Sequence, residues 1–300
     1  MNCRGFTISL VLGLGSACSL PLGGCATSEV PTRLDPLAAL DERMPNDPDA
    51  RADQPLAVAR EHSVTVFAPP LFAPVLSRLE AMYEAIQPDV DVYVRIAPKD
   101  PELDPSEMIQ QWMGSGAKAD VYVAEEISDI RSTGIEPILA GPWVGDRLIV
   151  VTGRGSRLRM VDLSKGDAPV AIALERTALG RLSRLALDQR GIWNDISYRI
   201  GRFDDSASIL ERARFGGQSE HVLGVVYGSA LTADPRSVKA VGEITPPPQD
   251  RALHAIGAWT PRGRSFVIWM LSDEALAAAA EFGFVPLRPL DEQTADGSNP

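Results

Sequence analysis

The stretch from Ser63 to Ile96 constrains the fold more than any other part of this chain of 300 residues. Ser63-Val64-Thr65-Val66-Phe67-Ala68 is rich in β-branched and aromatic residues and stops at Pro69-Pro70, the signature of a strand. Val75, Leu76, Leu79, Met82, Tyr83 and Ile86 then recur at helical spacing until Pro88. Val90, Val92, Val94 and Ile96 alternate as a second strand. Strand, helix and strand in this order predict a right-handed βαβ crossover, and with it an α/β architecture.

The alternation continues downstream. A helix is predicted over Ser106–Trp112, with Ser106 as its N-cap, and strands at Asp120–Val123, Leu148–Val151 and Val170–Ala173. Helices pass through Leu182, Leu185 and Ala186 and through Ile209, Leu210 and Ala213, and Val222–Tyr227 reads as a strand. Ser272 caps a last helix that carries Asp273 and Glu274 in its first turn and ends at Gly283. No repeat of fixed period stands out, which argues against a solenoid.

Composition narrows function more than fold. At 45% hydrophobic and 23% charged the chain can build one large or two modest domains. A formal charge of −11 without a concentrated Lys/Arg surface argues against a nucleic-acid partner. It leaves a small anion open, because local N–H and O–H donors can hold one whatever the distant surface carries. All three cysteines (Cys3, Cys18, Cys25) fall near the N-terminus, so no disulfide framework or cysteine metal site is expected downstream. His62, His221 and His254 lack zinc-ligand spacing. There is no G-x-S-x-G elbow, P-loop or dinucleotide fingerprint, so neither catalysis nor a cofactor is expected.

The N-terminus reads as an address. Arg4 precedes an apolar stretch from Phe6 to Leu22, too short and too rich in glycine for a spanning helix, and Leu22-Gly23-Gly24-Cys25 is similar to a bacterial lipobox. Residues 1–24 are expected to be a lipoprotein signal peptide, and Cys25 the lipidated first residue of an exported chain on the periplasmic side of the envelope. Stable attachment takes more than one acyl chain. Pro31, Pro36, Pro45, Pro48 and Pro55 among charged residues mark 25–62 as a disordered tether, and 291–300 is read as a disordered tail.

In order and spacing, several segments resemble the periplasmic molybdate-binding family of type II solute-binding proteins over roughly residues 64–288. They are Val66-Phe67-Ala68 plus its helix, Val90–Val94, Gly116–Tyr122, Gly145–Val151, Gly224–Ala230 and Phe282-Gly283-Phe284. The resemblance implies a two-lobed α/β fold with a hinge and an interlobe cleft, lobe I being 63–144 plus 242–290 and lobe II 145–241. It implies a monomer that captures a small oxyanion, molybdate or tungstate first, and delivers it to an ABC permease. Carried over position by position, it points to the hydroxyls of Ser106 and Tyr227 and to backbone N–H groups near Leu179 and Ser206. Leu71 stands where the family has a serine, and Arg176 or Arg202 is a substitute donor, unless these arginines pair with Glu175 and Asp204. An alternative function on the same fold is an envelope lipoprotein acting as a sensor or interaction module without transport.

Overall fold

The structure, a computed structural model, describes residues 62–98, 103–215, 221–233 and 236–287. The expected signal peptide, Cys25, the tether as far as Glu61 and the tail lie outside these residues. In chain order the first part runs β1 (Ser63–Ala68), α1 (Ala73–Ile86), β2 (Asp91–Ile96), α2 (Pro105–Gly114), β3 (Val121–Ala124), α3 (Ile127–Ser132) and β4 (Leu139–Gly145). The middle part runs β5 (Leu148–Gly153), α4 (Asp162–Lys165), β6 (Val170–Ala173), α5 (Ala178–Gln189), α6 (Trp193–Ile196) and β7 (Ile200–Phe203). It continues with α7 (Ser206–Phe215), β8 (Leu223–Tyr227), α8 (Gly228–Ala233) and β9 (Val238–Ile244). The last part is β10 (Leu253–Ala258), α9 (Pro261–Met270), α10 (Asp273–Glu281) and β11 (Val285–Pro286).

Two mixed sheets result. One has the order β11-β4-β10-β3-β1-β2 and the other β7-β6-β8-β5-β9. The predicted crossover is present: β1 and β2 are parallel, with Val64 opposite Val92 and Val66 opposite Val94, and β3 joins β1 on its other side. Side chains of a strand alternate between faces, and here both faces are used. Val64, Val66, Val121 and Val123 pack in a cluster with residues of α1, α9 and α10, whereas Phe67 and Tyr122 pack in another with residues of α2. Full burial of each such side chain contributes about 1.5–3 kcal/mol. Around the second sheet a third cluster gathers Leu148, Val150, Ile172, Leu187, Ile209 and Val225.

Some expectations change. Ser106 is not the N-cap of α2; Asp104 is, because Pro105 fits the first helical position and leaves the aspartate beside the free N–H groups. Asp104 Oδ1 accepts from Ser106 N at 2.9 Å, and Asp104 N donates to Glu107 Oε2 at 3.1 Å, a capping box. Strands β4, β7, β9, β10 and β11 and helices α3, α4, α6, α8 and α9 were not anticipated. Helix α10 starts after Ser272, whose hydroxyl caps Ala275 N, and stops before Gly283, where φ is +85°. Gly180 is required by packing: a Cβ there would lie 2.0 Å from the Leu174 carbonyl oxygen.

The chain passes between the sheets at 145–148 and again at 244–253, and one buried carboxylate ties these passages together. Asp146 accepts from Arg147 N at 2.6 Å, from Ser229 N at 3.2 Å and from the Ser229 hydroxyl, and it lies 3.5 Å from His254 Nε2. The other ring nitrogen of His254 faces the Glu125 carbonyl oxygen at 3.1 Å, so Nδ1 carries the hydrogen of that contact. Leu71 packs against a cluster of each sheet.

Candidate functional site

The C-terminal ends of β1, β3, β6, β7 and β8 all lead into one cleft of about 440 Å³. This is where open α/β sheets form ligand crevices, since the loops there diverge while the helices that follow point their N-termini inward. From the first sheet's side the cleft is bordered by Leu71, Val75, Asp104, Glu125 and Phe284; from the second sheet's side by Leu179, Ser206, Leu210, Arg214 and Tyr227.

Tyr227 ends β8 and is 2% exposed. Its hydroxyl donates to Glu125 Oε2 across a long 3.4 Å, and its backbone N–H donates to the Ser206 hydroxyl at 3.3 Å. Glu125 is the residue that leaves β3. Burial pushes its carboxyl up to about 8, with further repulsion from Asp104, Asp129 and Glu126, while the Tyr227 hydroxyl acts the other way. Asp129 is raised to about 6, again mainly by burial, against the hydrogen bonds it accepts from Glu126 N at 3.1 Å and the Ser106 hydroxyl at 3.2 Å. Burial also raises Asp104, and it holds the Tyr227 phenol well above its ordinary value. Desolvated carboxyls at the end of a sheet thus share a limited supply of donors.

The predicted site residues divide. Leu71, Leu179, Ser206 and Tyr227 border the same cleft. Ser106 does not border it; its hydroxyl and its N–H are engaged by Asp129 and Asp104. Arg176 borders a small neighbouring recess with Asp104 and Asp204 and pairs with Asp204 at 3.7 Å, while Arg202 pairs with Glu175 at 2.8 Å. The two helix starts behave as helix starts do. Thr177 caps α5 by accepting from Gly180 N at 3.1 Å, Asp205 accepts from Ser208 N at 2.7 Å at α7, and the remaining first-turn N–H groups near Leu179 and Ser206 have no intrahelical acceptor.

Glu125, Asp104 and Glu211 were not singled out as site residues from the sequence. For Glu125 a signal existed: an acidic pair, Glu125-Glu126, directly follows the apolar strand Val121–Ala124, the position from which a side chain enters such a crevice. Among the described residues no group of three or more His, Cys, Asp or Glu could hold a metal ion. None of the described helices is long and apolar enough to cross a membrane.

No family model matches this chain, and no curated protein does. Solved structures do. The periplasmic molybdate-binding protein of Azotobacter vinelandii shares 15% identity over 75% of this chain and 100% of its own, with a TM-score of 0.59. For the sulfate-binding protein SubI of Mycobacterium tuberculosis the values are 15%, 78%, 91% and 0.58. For Peb3 of Campylobacter jejuni they are 13%, 75%, 100% and 0.56. Such identities speak to fold, and in fold the chain is a two-lobed α/β protein of the type II periplasmic-binding-protein kind, with a hinge and a cleft between the lobes.

Proposed function

We propose that this chain is the solute-binding component of an ABC transporter in the cell envelope, capturing a small solute in its cleft and presenting it to a membrane permease. The observation that carries this reading is the cleft itself, which forms where the strands of both sheets end and is bordered by the first turns of α5 and α7. Two lobes, 63–144 with 242–290 and 145–241, would close over the solute about the passages near Asp146, with binding energy rather than chemistry driving the movement. Lipid on Cys25 would hold a monomer at the membrane.

Molybdate- and sulfate-binding proteins share the fold, which makes an oxyanion the first solute to test. First-turn N–H groups near Leu179 and Ser206 suit one, because they combine free donors with the positive end of a helix dipole. Leu71 and the internal use of the Ser106 hydroxyl favour a second reading, an envelope lipoprotein that keeps the fold as a sensor or interaction module.

Thermal unfolding at equal ionic strength separates the two. A solute at 100 times its dissociation constant adds about 2.7 kcal/mol to stability. A saturable rise in midpoint with molybdate, tungstate, sulfate or a small organic solute is expected. No rise with any member of such a panel would refute solute capture and leave the module reading.

A further inference from the structure

We infer that the cleft takes an organic solute with a cationic head group on an apolar body, the head group seated against Glu125. This rests on the solute-binding reading and names its substrate class. Three independent features point the same way.

The first is charge. Among the described residues that border the cleft, Asp104, Glu125, Asp204, Asp205 and Glu211 are acids and Arg214 alone is a base. The Arg214 guanidinium lies over the Phe215 ring, 4.7 Å from its centre, and Arg176 just beyond is paired with Asp204. A dianion entering here meets like charge from several elements; an ammonium meets attraction from the same elements.

The second is the direction of the donors. The hydroxyl of Tyr227 is turned to Glu125, and the hydroxyl and N–H of Ser106 to Asp129 and Asp104, so the chain's own carboxylates hold the side-chain hydroxyls that an oxyanion would need and leave it only the first-turn N–H groups near Leu179 and Ser206. Leu71 offers no hydroxyl. What the floor lacks is a donor of positive charge: the hydrogen bond from Tyr227 to Glu125 is long, and among the described residues no cation pairs with Glu125, whereas Glu126 beside it is paired with Arg181. An ammonium against Glu125 supplies that donor.

The third is size and surface. A volume of about 440 Å³ lies in the range of pockets that enclose small organic molecules and is generous for a single tetrahedral anion. Its walls are mainly apolar, with Leu71, Leu210, Phe282 and Phe284 prominent and the Phe215 ring at the edge. Aromatic faces also attract cations, most strongly where water is excluded.

The groups facing Glu125 set a pH dependence. They are Asp104 at the start of α2, Glu126 and Asp129 around α3, Tyr227 at the end of β8, His254 on β10 with its partner Asp146, and Arg181 of α5 through Glu126. The acids and burial hold Glu125 protonated up to about 8, and an ammonium binds its charged form. Affinity for a cation should therefore rise close to tenfold per pH unit on approaching pH 8 from below and level off above it.

The test is calorimetric titration of the full chain at pH 8 and equal ionic strength with four probes: phenethylamine, 2-phenylethanol, phenylacetate and molybdate. Phenethylamine is expected to bind at least tenfold more tightly than the isosteric alcohol, with phenylacetate and molybdate weaker still. Glu125→Gln should weaken the amine at least tenfold and flatten its pH dependence, with a much smaller effect on the alcohol. Equal binding of amine and alcohol, or tighter binding of phenylacetate or molybdate, overturns the cationic class while solute capture stands. Binding of none of the four overturns the inference, and the broader unfolding panel then decides the solute-binding reading separately. The comparison among probes on the unaltered protein needs no variant to fold.

Discussion

Glu125→Gln keeps the size and shape of the side chain and removes its ionisation, so it isolates what burial of this carboxyl does to stability. In the folded chain the group is raised from 4.5 to about 8. A raised acid keeps its proton in the folded state over a pH range in which the unfolded chain has released it, so stability is highest at low pH and falls as pH rises from about 4.5 to about 8. Linkage sets an upper bound of about 5 kcal/mol for that loss. Glu125 is part-exposed to the cleft, and its acidic neighbours titrate with it, so discounting for water and for coupling leaves about 2 kcal/mol. Glutamine has no charge to bury. The variant and the parent should therefore unfold together near pH 5, and at pH 9 the variant should be more stable, with a midpoint higher by about 4–8 °C for a body of this size. Asp129, raised to about 6, and Glu80, raised to about 7 by burial and by Glu84 and Asp91, lower the stability of both proteins over part of the same range. The difference between the two curves, followed by circular dichroism from pH 5 to 9, is thus the informative quantity. A difference that stays constant with pH, or a variant less stable at pH 9, would refute the argument that Glu125 is charged against its surroundings.

Other perturbations follow from geometry. Gly180→Ala would press a methyl group against the Leu174 carbonyl at 2.0 Å and should destabilise by about 2 kcal/mol or more in denaturant unfolding, whereas Gly141→Ala, with open space around it, should be close to neutral. Asp146→Ala strands the N–H groups of Arg147 and Ser229 and the Ser229 hydroxyl where the chain passes between the sheets; a loss of about 3 kcal/mol is expected, and a loss below about 1 kcal/mol would show that the link is not needed. Leu71→Ser removes apolar contact with a cluster of each sheet and should cost about 1–3 kcal/mol by the same measurement.

The elements that could be read in advance are those with a single clean period. Strand β1, helix α1 and strand β2 carry alternation and helical spacing dense enough to override everything local, and they form as expected. Strand β9 was missed because Val238–Ile244 lies at the edge of its sheet, mixes Lys239, Gly242 and Glu243 with its apolar residues and buries chiefly its two ends. Helix α9 was missed because Thr260-Pro261-Arg262-Gly263 has the composition of a turn; the glycine is there because the Asp120 carbonyl oxygen would lie 2.2 Å from any Cβ, a contact between segments far apart in the chain. The helix cap at Asp104 could have been read, since Asp-Pro followed by Glu107 is a capping-box pattern, but the resemblance drew attention to Ser106 instead.

By itself, the sequence determined the strands and helices with a clean period, and the resemblance they carry placed Leu71, Leu179, Ser206 and Tyr227 at loop-to-helix or strand-to-loop transitions. That is a local property, written in periodicity and capping residues within a few positions. Which charges meet there was decided only by the tertiary structure. Asp104 comes from the start of α2, Glu125 and Asp129 from the junction of β3 and α3, and Tyr227 reaches Glu125 from the second sheet. Their protonation depends on desolvation and on neighbours distant along the chain, quantities that exist only once the two sheets have folded around the cleft.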